Sequence, residues 1–166
     1  MKKFLSLILS SSLFLSACTQ SKIPVSPTPT PIPREYALTD TDKPQVNLTP
    51  RSDGHELTLK ISGIKPIFNK IEYELIYTAS DAGLEIEKGV SGTAELKDII
   101  SGSFERKILL GTESCTNGCK YKYDAGVNGG TLNLTLNTQD DQVAAMVMPF
   151  SLTLVKSKGF TITWKQ

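Results

Sequence analysis

Three features of the amino-acid sequence predict an all-β fold, and within that class an antiparallel β-sandwich. Apolar side chains recur at every second residue in run after run between Val46 and Trp164, which puts them on one face of an extended strand. Turn-forming clusters rich in Gly, Asn, Asp and Ser separate these runs, and helical periodicity nowhere lasts beyond one turn. Short strands with one apolar face must bury that face, and two stacked sheets do so against each other. A closed β-barrel is the alternative.

The runs follow one another closely. Val46 to Thr49 is a short first strand, and Leu57, Leu59 and Ile61 then alternate with Glu56, Thr58 and Lys60. Ile71, Tyr73, Leu75 and Tyr77 alternate with Lys70, Glu72 and Glu74, and the same period marks Leu84 to Lys88, Val90 to Leu96 and Phe104 to Leu110. It returns in Lys120 to Tyr123, Leu132 to Leu136, Val143 to Met148, Phe150 to Leu154 and Phe160 to Trp164. Pro149 interrupts the most apolar stretch, so two separate strands, or one strand with a bulge, are expected around it. Ser52-Asp53-Gly54, Asp81-Ala82-Gly83, Ser101-Gly102, Asn128-Gly129-Gly130 and Ser157-Lys158-Gly159 supply turn residues that tolerate positive φ. The alternation puts Leu59, Ile61, Tyr73, Leu75, Leu134, Leu136, Leu152, Ile162 and Trp164 inside. It turns Lys60, Glu72, Glu74, Asn133 and Thr163 outward.

This spacing resembles that of immunoglobulin-like and fibronectin-type domains in pattern only. Their specific marks are missing, since no Cys pair spans two sheets and the single Trp, Trp164, lies in the last run.

The first residues carry an address. Met1-Lys2-Lys3 is a basic n-region and Phe4 to Ala17 an apolar h-region of 14 residues, which reaches about 21 Å as a helix and falls short of the ~30 Å hydrocarbon core. Residues 1–17 therefore read as an export signal. Its end, Leu15-Ser16-Ala17-Cys18, resembles the lipobox of bacterial lipoproteins. That resemblance implies cleavage before Cys18, a diacylglyceryl thioether on Cys18 and acylation of the new N-terminus. The domain would then sit outside the cytoplasm, anchored to the cell membrane or outer membrane. Two or three acyl chains hold a protein far better than one.

Cleavage removes Lys2 and Lys3 and leaves 16 basic against 17 acidic side chains. Attachment would thus rest on lipid and not on anionic headgroups. From Cys18 to Arg34 the chain reads as a tether, because five of its nine prolines fall between Pro24 and Pro33. Alternating Pro and Thr favours polyproline II, giving a semi-rigid stalk of up to about 50 Å. Residues 35–166 are the folded domain.

Charge and composition exclude several classes. The full chain has 18 basic and 17 acidic residues, so no concentrated positive field exists for nucleic acid. With 39% apolar and 21% charged residues, the chain can fill a core and is not wholly disordered.

Few residues point to chemistry. Cys115 and Cys119 flank Thr116-Asn117-Gly118, and an exported pair is expected to oxidise to a small disulfide ring that clips a hairpin. With His55 as the only His, a zinc site would need carboxylates to complete it, and no metal or cofactor is expected. His55 follows Asp53-Gly54 at a turn. A triad would further require a buried orienting carboxylate and a nucleophile on a strained turn, and no Gly-x-Ser-x-Gly surrounds any Ser. His55 is therefore expected as a solvated turn residue and the chain as no enzyme, a hydrolase being the weakest reading. Asp40/Asp42 and Asp140/Asp141 lie in loops with oxygen-rich neighbours suited to Ca²⁺, without a repeating ligand pattern. Lys120, Tyr121, Lys122 and Tyr123 interleave cations with aromatics, which offers a face for glycan or polymer. As a strand, however, they put both Tyr on one face and both Lys on the other, so Tyr in the core and Lys in solvent is the default.

Together these readings predict a lipid-anchored, extracytoplasmic β-domain with a binding role at the bacterial cell envelope, its ligand a protein or glycan. The alternative role is an accessory subunit of an envelope assembly or secretion machine. The anchor is tested by intact mass of the membrane fraction: a chain starting at Cys18 and heavier by acyl groups is expected. Cys18→Ala should shift the protein to a soluble or uncleaved form, and an unmodified soluble wild-type chain would end the idea.

Overall fold

Alternation along the chain builds two sheets whose apolar faces meet. A computed structural model describes residues 33–156 and 159–165; the signal, Cys18, the tether as far as Ile32 and the Ser157-Lys158 part of one expected turn lie outside the described residues. The larger sheet contains β1 (Arg34–Glu35), β4 (Phe68–Asp81), β5 (Leu84–Glu95), β9 (Gly129–Thr138), β10 (Gln142–Val155) and β11 (Gly159–Trp164). Its order is β1-β10-β9-β4-β5, with β11 also on β10. The smaller sheet is β2 (Gln45–Pro50), β3 (Glu56–Ser62) and β6 (Ser103–Leu109), in the order β2-β3-β6. A hairpin of β7 (Gly111–Cys115) and β8 (Cys119–Tyr123) stands apart from both. Both main sheets keep edges, so the arrangement is the sandwich and not the barrel.

β4 organises the core. Ile71, Tyr73, Leu75 and Tyr77 face inward and are buried, and they oppose Leu136, Leu134, Leu132 and Gly130 of β9. From the smaller sheet Leu48, Leu57, Leu59, Ile61, Phe104 and Ile108 join the same buried cluster. On the other side of β4, Tyr73 lies opposite Gly92 of β5, where an added Cβ would meet the Tyr73 hydroxyl at 2.2 Å. The glycine is thus the room the ring needs.

The hairpin joining β4 to β5 shows why its turn residues were legible. Asp81 pairs with Leu84, and Ala82 and Gly83 between them have φ of 50° and 82°. Two successive positive φ values make the turn whose twist matches the flanking strands.

Three boundaries differ from expectation. Leu84 to Glu95 is one strand, not two. β10 likewise runs unbroken through Pro149. The Pro149 carbonyl points away from β9 and accepts the Lys165 N–H at 2.9 Å, so its missing donor lies on that same outer edge and costs the β9 ladder nothing. Arg34, assigned above to the tether, already pairs in parallel with Gln142 of β10.

Of the expected inner residues, Leu59, Ile61, Tyr73, Leu75, Leu134, Leu136 and Leu152 are buried, and Ile162 is half-buried. Trp164 is the exception at 36% exposed. It lies on the inner-face register opposite Phe150 and packs edge-on against that ring at 6.2 Å, but β11 is an outer strand and Trp164 borders an open groove lined also by Pro44 and Val46. Register decides the face of a side chain, whereas depth in the sheet decides its burial.

These positions predict an ordering of stabilities. Leu75→Ala and Leu134→Ala should each cost about 2–5 kcal/mol, and Glu74→Ala at an exposed position should stay within about 0.5 kcal/mol. Trp164→Ala should cost less than either leucine truncation. Thermal melts that reversed the order of Leu75 and Glu74 would invert the register and with it the sandwich.

Candidate aromatic site on the hairpin

The turn between β2 and β3 is held by its own backbone. Gly54 N–H donates to Arg51 C=O at 2.9 Å and Arg51 N–H to Glu56 C=O at 2.8 Å. Gly54 sits at φ 74° beneath the Phe160 ring, where a Cβ would meet ring carbons at 2.7 Å, so the conformation and the space both require glycine. Asp53 closes the turn by accepting the His55 N–H at 3.0 Å and Arg51 Nε at 2.8 Å. These contacts hold its carboxyl well below the usual range, at about 2, with the Arg51 hydrogen bond the largest cause and the His55 backbone bond the next.

The β7–β8 hairpin is tied to this turn at its base. Leu110 N–H donates to His55 C=O at 2.9 Å, and Asp124 N–H to Leu110 C=O at 3.0 Å. The Asp124 side chain is only 6% exposed. It accepts a hydrogen bond from the Tyr77 hydroxyl at 2.8 Å and pairs with the Lys88 ammonium. Burial, and then the Asp124 carboxylate, hold the Tyr77 phenol above its ordinary range. At the far end Cys115 and Cys119 are joined in the expected disulfide.

Strand alternation puts Tyr121 and Tyr123 on one face of the hairpin, as the sequence indicates, but that face is not in the core. Tyr121 is 52% exposed and Tyr123 38%. β7 and β8 form a separate two-stranded sheet that neither main sheet covers among the described residues, and its side chains are nearly all exposed. Default burial of the two Tyr is therefore overturned. Their rings are parallel within 7° with centroids 6.1 Å apart. Opposite Tyr123 stands Gly111 and opposite Tyr121 stands Glu113. The Glu113 carboxylate raises the Tyr121 phenol, chiefly by hydrogen bonding.

His55 is not simply solvated either. Its ring stacks on Tyr123 at 4.2 Å and 7°, and the Arg51 guanidinium lies 5.6 Å from the Tyr123 centroid. Residues separated by two turns of chain thus converge into one surface of two tyrosines, an imidazole and a guanidinium. Lys120 and Lys122 occupy the opposite hairpin face. The sequence displayed the Lys-Tyr pair but gave no sign that Arg51 and His55 would join it, because that contact depends on how the hairpin base docks.

The other candidates stay apart. His55 Nδ1 is 3.6 Å from Asp53 Oδ2, yet Asp53 is half-exposed and bonded to Arg51, unlike the buried carboxylate that orients a catalytic imidazole. Asp42 accepts from Thr39 Oγ1 at 2.6 Å and from Tyr36 at 3.3 Å, and Asp40 pairs with Lys43 at 2.9 Å. Asp141 holds a φ of 56° in the β9–β10 turn. Among the described residues Glu113, Cys115 and Cys119 cluster closely enough to hold a cation, but sulfurs joined in a disulfide provide no thiolate ligand.

The fold and site together define an open all-β sandwich bearing a disulfide-closed aromatic hairpin. Comparison with protein-family models, with curated proteins and with solved structures returns no match.

The Arg51–Asp53 pair yields a pH prediction. A carboxyl whose folded pKa is depressed contributes stability that is complete above its unfolded pKa near 3.9 and is lost as pH falls through the folded value. For Asp53 that window runs from about 4 down to about 2. Carbon-detected NMR titration should place the Asp53 midpoint near 2, and Arg51→Met should move it up toward the ordinary carboxylate range. A wild-type midpoint near 4 would show that the turn is not closed in this way.

Proposed function

We propose that this protein is a lipid-anchored, extracytoplasmic binding module of the bacterial cell envelope, and that the Tyr121–Tyr123 face of its hairpin takes a glycan. The observation that supports this most is the pair of parallel, exposed rings on a hairpin that has no aliphatic side chain from Gly111 to Tyr123. A protein-binding patch usually sets its aromatics in an apolar centre. Here the rings are bordered by Glu113, Arg51 and His55. That combination suits a sugar, whose ring C–H face packs on an aromatic plane while its hydroxyls need polar partners at the rim.

Each part has a role in this reading. Tyr123 is held rigid by His55 on one side and by the tie of the hairpin base, so it presents its ring at little entropic cost. Tyr121, the more exposed ring, makes the outer contact. Arg51 adds a donor fork for hydroxyl or carboxylate groups. The disulfide limits fraying of a two-stranded hairpin that is marginal alone. Anchoring through Cys18 and the Pro/Thr tether would hold this face near envelope polymer.

The test uses the full-length lipidated protein in detergent, sedimented with purified cell-wall polysaccharide. Tyr121→Ala and Tyr123→Ala should each weaken binding about five- to thirtyfold, the effect of losing about 1–2 kcal/mol of ring contact. Leu154→Ala, on an exposed position of β10, should leave it unchanged. Wild-type protein that stays in the supernatant, or tyrosine variants that sediment equally, would overturn the reading.

A further inference from the structure

The outer edge of β10 is covered at both ends and open in the middle. β1 pairs with Gln142 and Val143, and Tyr36 N–H reaches Val143 C=O at 2.8 Å. β11 pairs with Phe150 to Val155, and Lys165 N–H reaches Pro149 C=O at 2.9 Å. Backbone groups of alternate residues point to the same edge, so those of Ala145 and Val147 point where Val143 and Pro149 do. Among the described residues they have no backbone partner. Val147 is 68% exposed.

Beside this opening the sandwich is incompletely filled. Met146 and Met148 lie on the inward face of β10 but are only half-buried. With Pro44, Val46 and Trp164 they line an apolar groove of about 240 Å³. An unpaired strand edge next to an apolar groove has a definite complement: an extended backbone supplying N–H and C=O groups, with an apolar residue at alternate positions facing the groove.

We infer that Ala144–Met148 is a strand-addition site for a short, extended, alternately apolar segment of another polypeptide. The geometry selects the occupant by length. The interval between Val143 and Phe150 is about 23 Å of strand, enough for about five or six residues. A second copy of β10, paired antiparallel about Met146, would need its own Gln142–Val143 and Phe150–Val155 to lie where β11 and β1 of the first copy already lie. Its 14 residues are too long for the gap. A short segment that bends away at both ends has no such conflict, and it would continue the β11 ladder in line. Methionine lining suits a site that accepts varied apolar side chains. This site is independent of the glycan reading and lies on the opposite side of the larger sheet from β5, whose Lys88 helps dock the hairpin.

The test uses full-length lipidated protein in nanodiscs with a pool of end-capped hexapeptides that alternate Val, Ile, Leu or Phe with Ser, Thr or Lys. Saturable binding should slow hydrogen exchange at the Ala145 and Val147 amides. Val147→Pro deletes one edge donor where Met146, already in an extended strand, can precede a proline without strain. It should weaken binding about tenfold while leaving the melt of the free protein near wild type. Should that variant fail to fold, the same peptides N-methylated on every amide decide the matter on wild-type protein, and they should not bind. Peptides that leave both amides unprotected, or that bind equally when N-methylated, would overturn the inference. Protection that appears without peptide as protein concentration rises would also overturn it, by showing a second copy on the edge.

Discussion

The buried face of β4 is the constraint on which the rest of the structure depends. Ile71, Tyr73, Leu75 and Tyr77 stand on one side of a strand with partners on both edges, and the smaller sheet covers them. A slip of one residue would bring Glu72 and Glu74 into that space and send the apolar set to water. Register here also fixes matters further out. It puts Tyr77 opposite Lys88, and both side chains then reach Asp124, the residue immediately after β8. A buried carboxylate left unpaired would be costly, so this pair of partners specifies where the hairpin base sits. The aromatic surface is therefore a remote consequence of packing along β4.

How much of this could be read from the sequence varied with the kind of contact. Strands that alternate beside clear turn residues were legible, because local side-chain period and local φ preferences are properties of a few adjacent residues. Leu59, Leu75 and Leu134 were placed correctly for that reason. Trp164 and the tyrosine pair were not. In each case alternation named the face properly, but burial depends on what is stacked over that face. Trp164 lies on an outer strand and Tyr121 on a hairpin outside both sheets. The strand β7, Gly111 to Cys115, gave no signal because Gly-Thr-Glu-Ser-Cys has no apolar alternation. Its partner and the disulfide hold it extended.

Pro149 illustrates the same limit in the backbone. Proline in a run of strand residues argues for an interruption when the direction of its missing N–H is unknown. Here that direction is toward the outer edge, beside the end of β11, where it removes nothing from the β9–β10 ladder. The proline also blunts part of an edge that is otherwise available, since it cannot donate to an incoming strand. What stays available is confined to Ala145 and Val147.

The two uncovered surfaces differ in what they ask of a ligand. The hairpin presents side chains, namely parallel rings edged by a guanidinium, an imidazole and a carboxylate, and recognises shape and hydroxyl chemistry. The β10 edge presents main chain, and recognises any extended segment that fits its length and apolar phase. β1, which follows the tether sequence directly, pairs with β10 at one end of that edge. Because β1 runs parallel to β10, it is its C-terminal side that faces Ala145; there the chain leaves the ladder after Tyr36 and turns at residues 40–42, and among the described residues Ala145 and Val147 have no backbone partner.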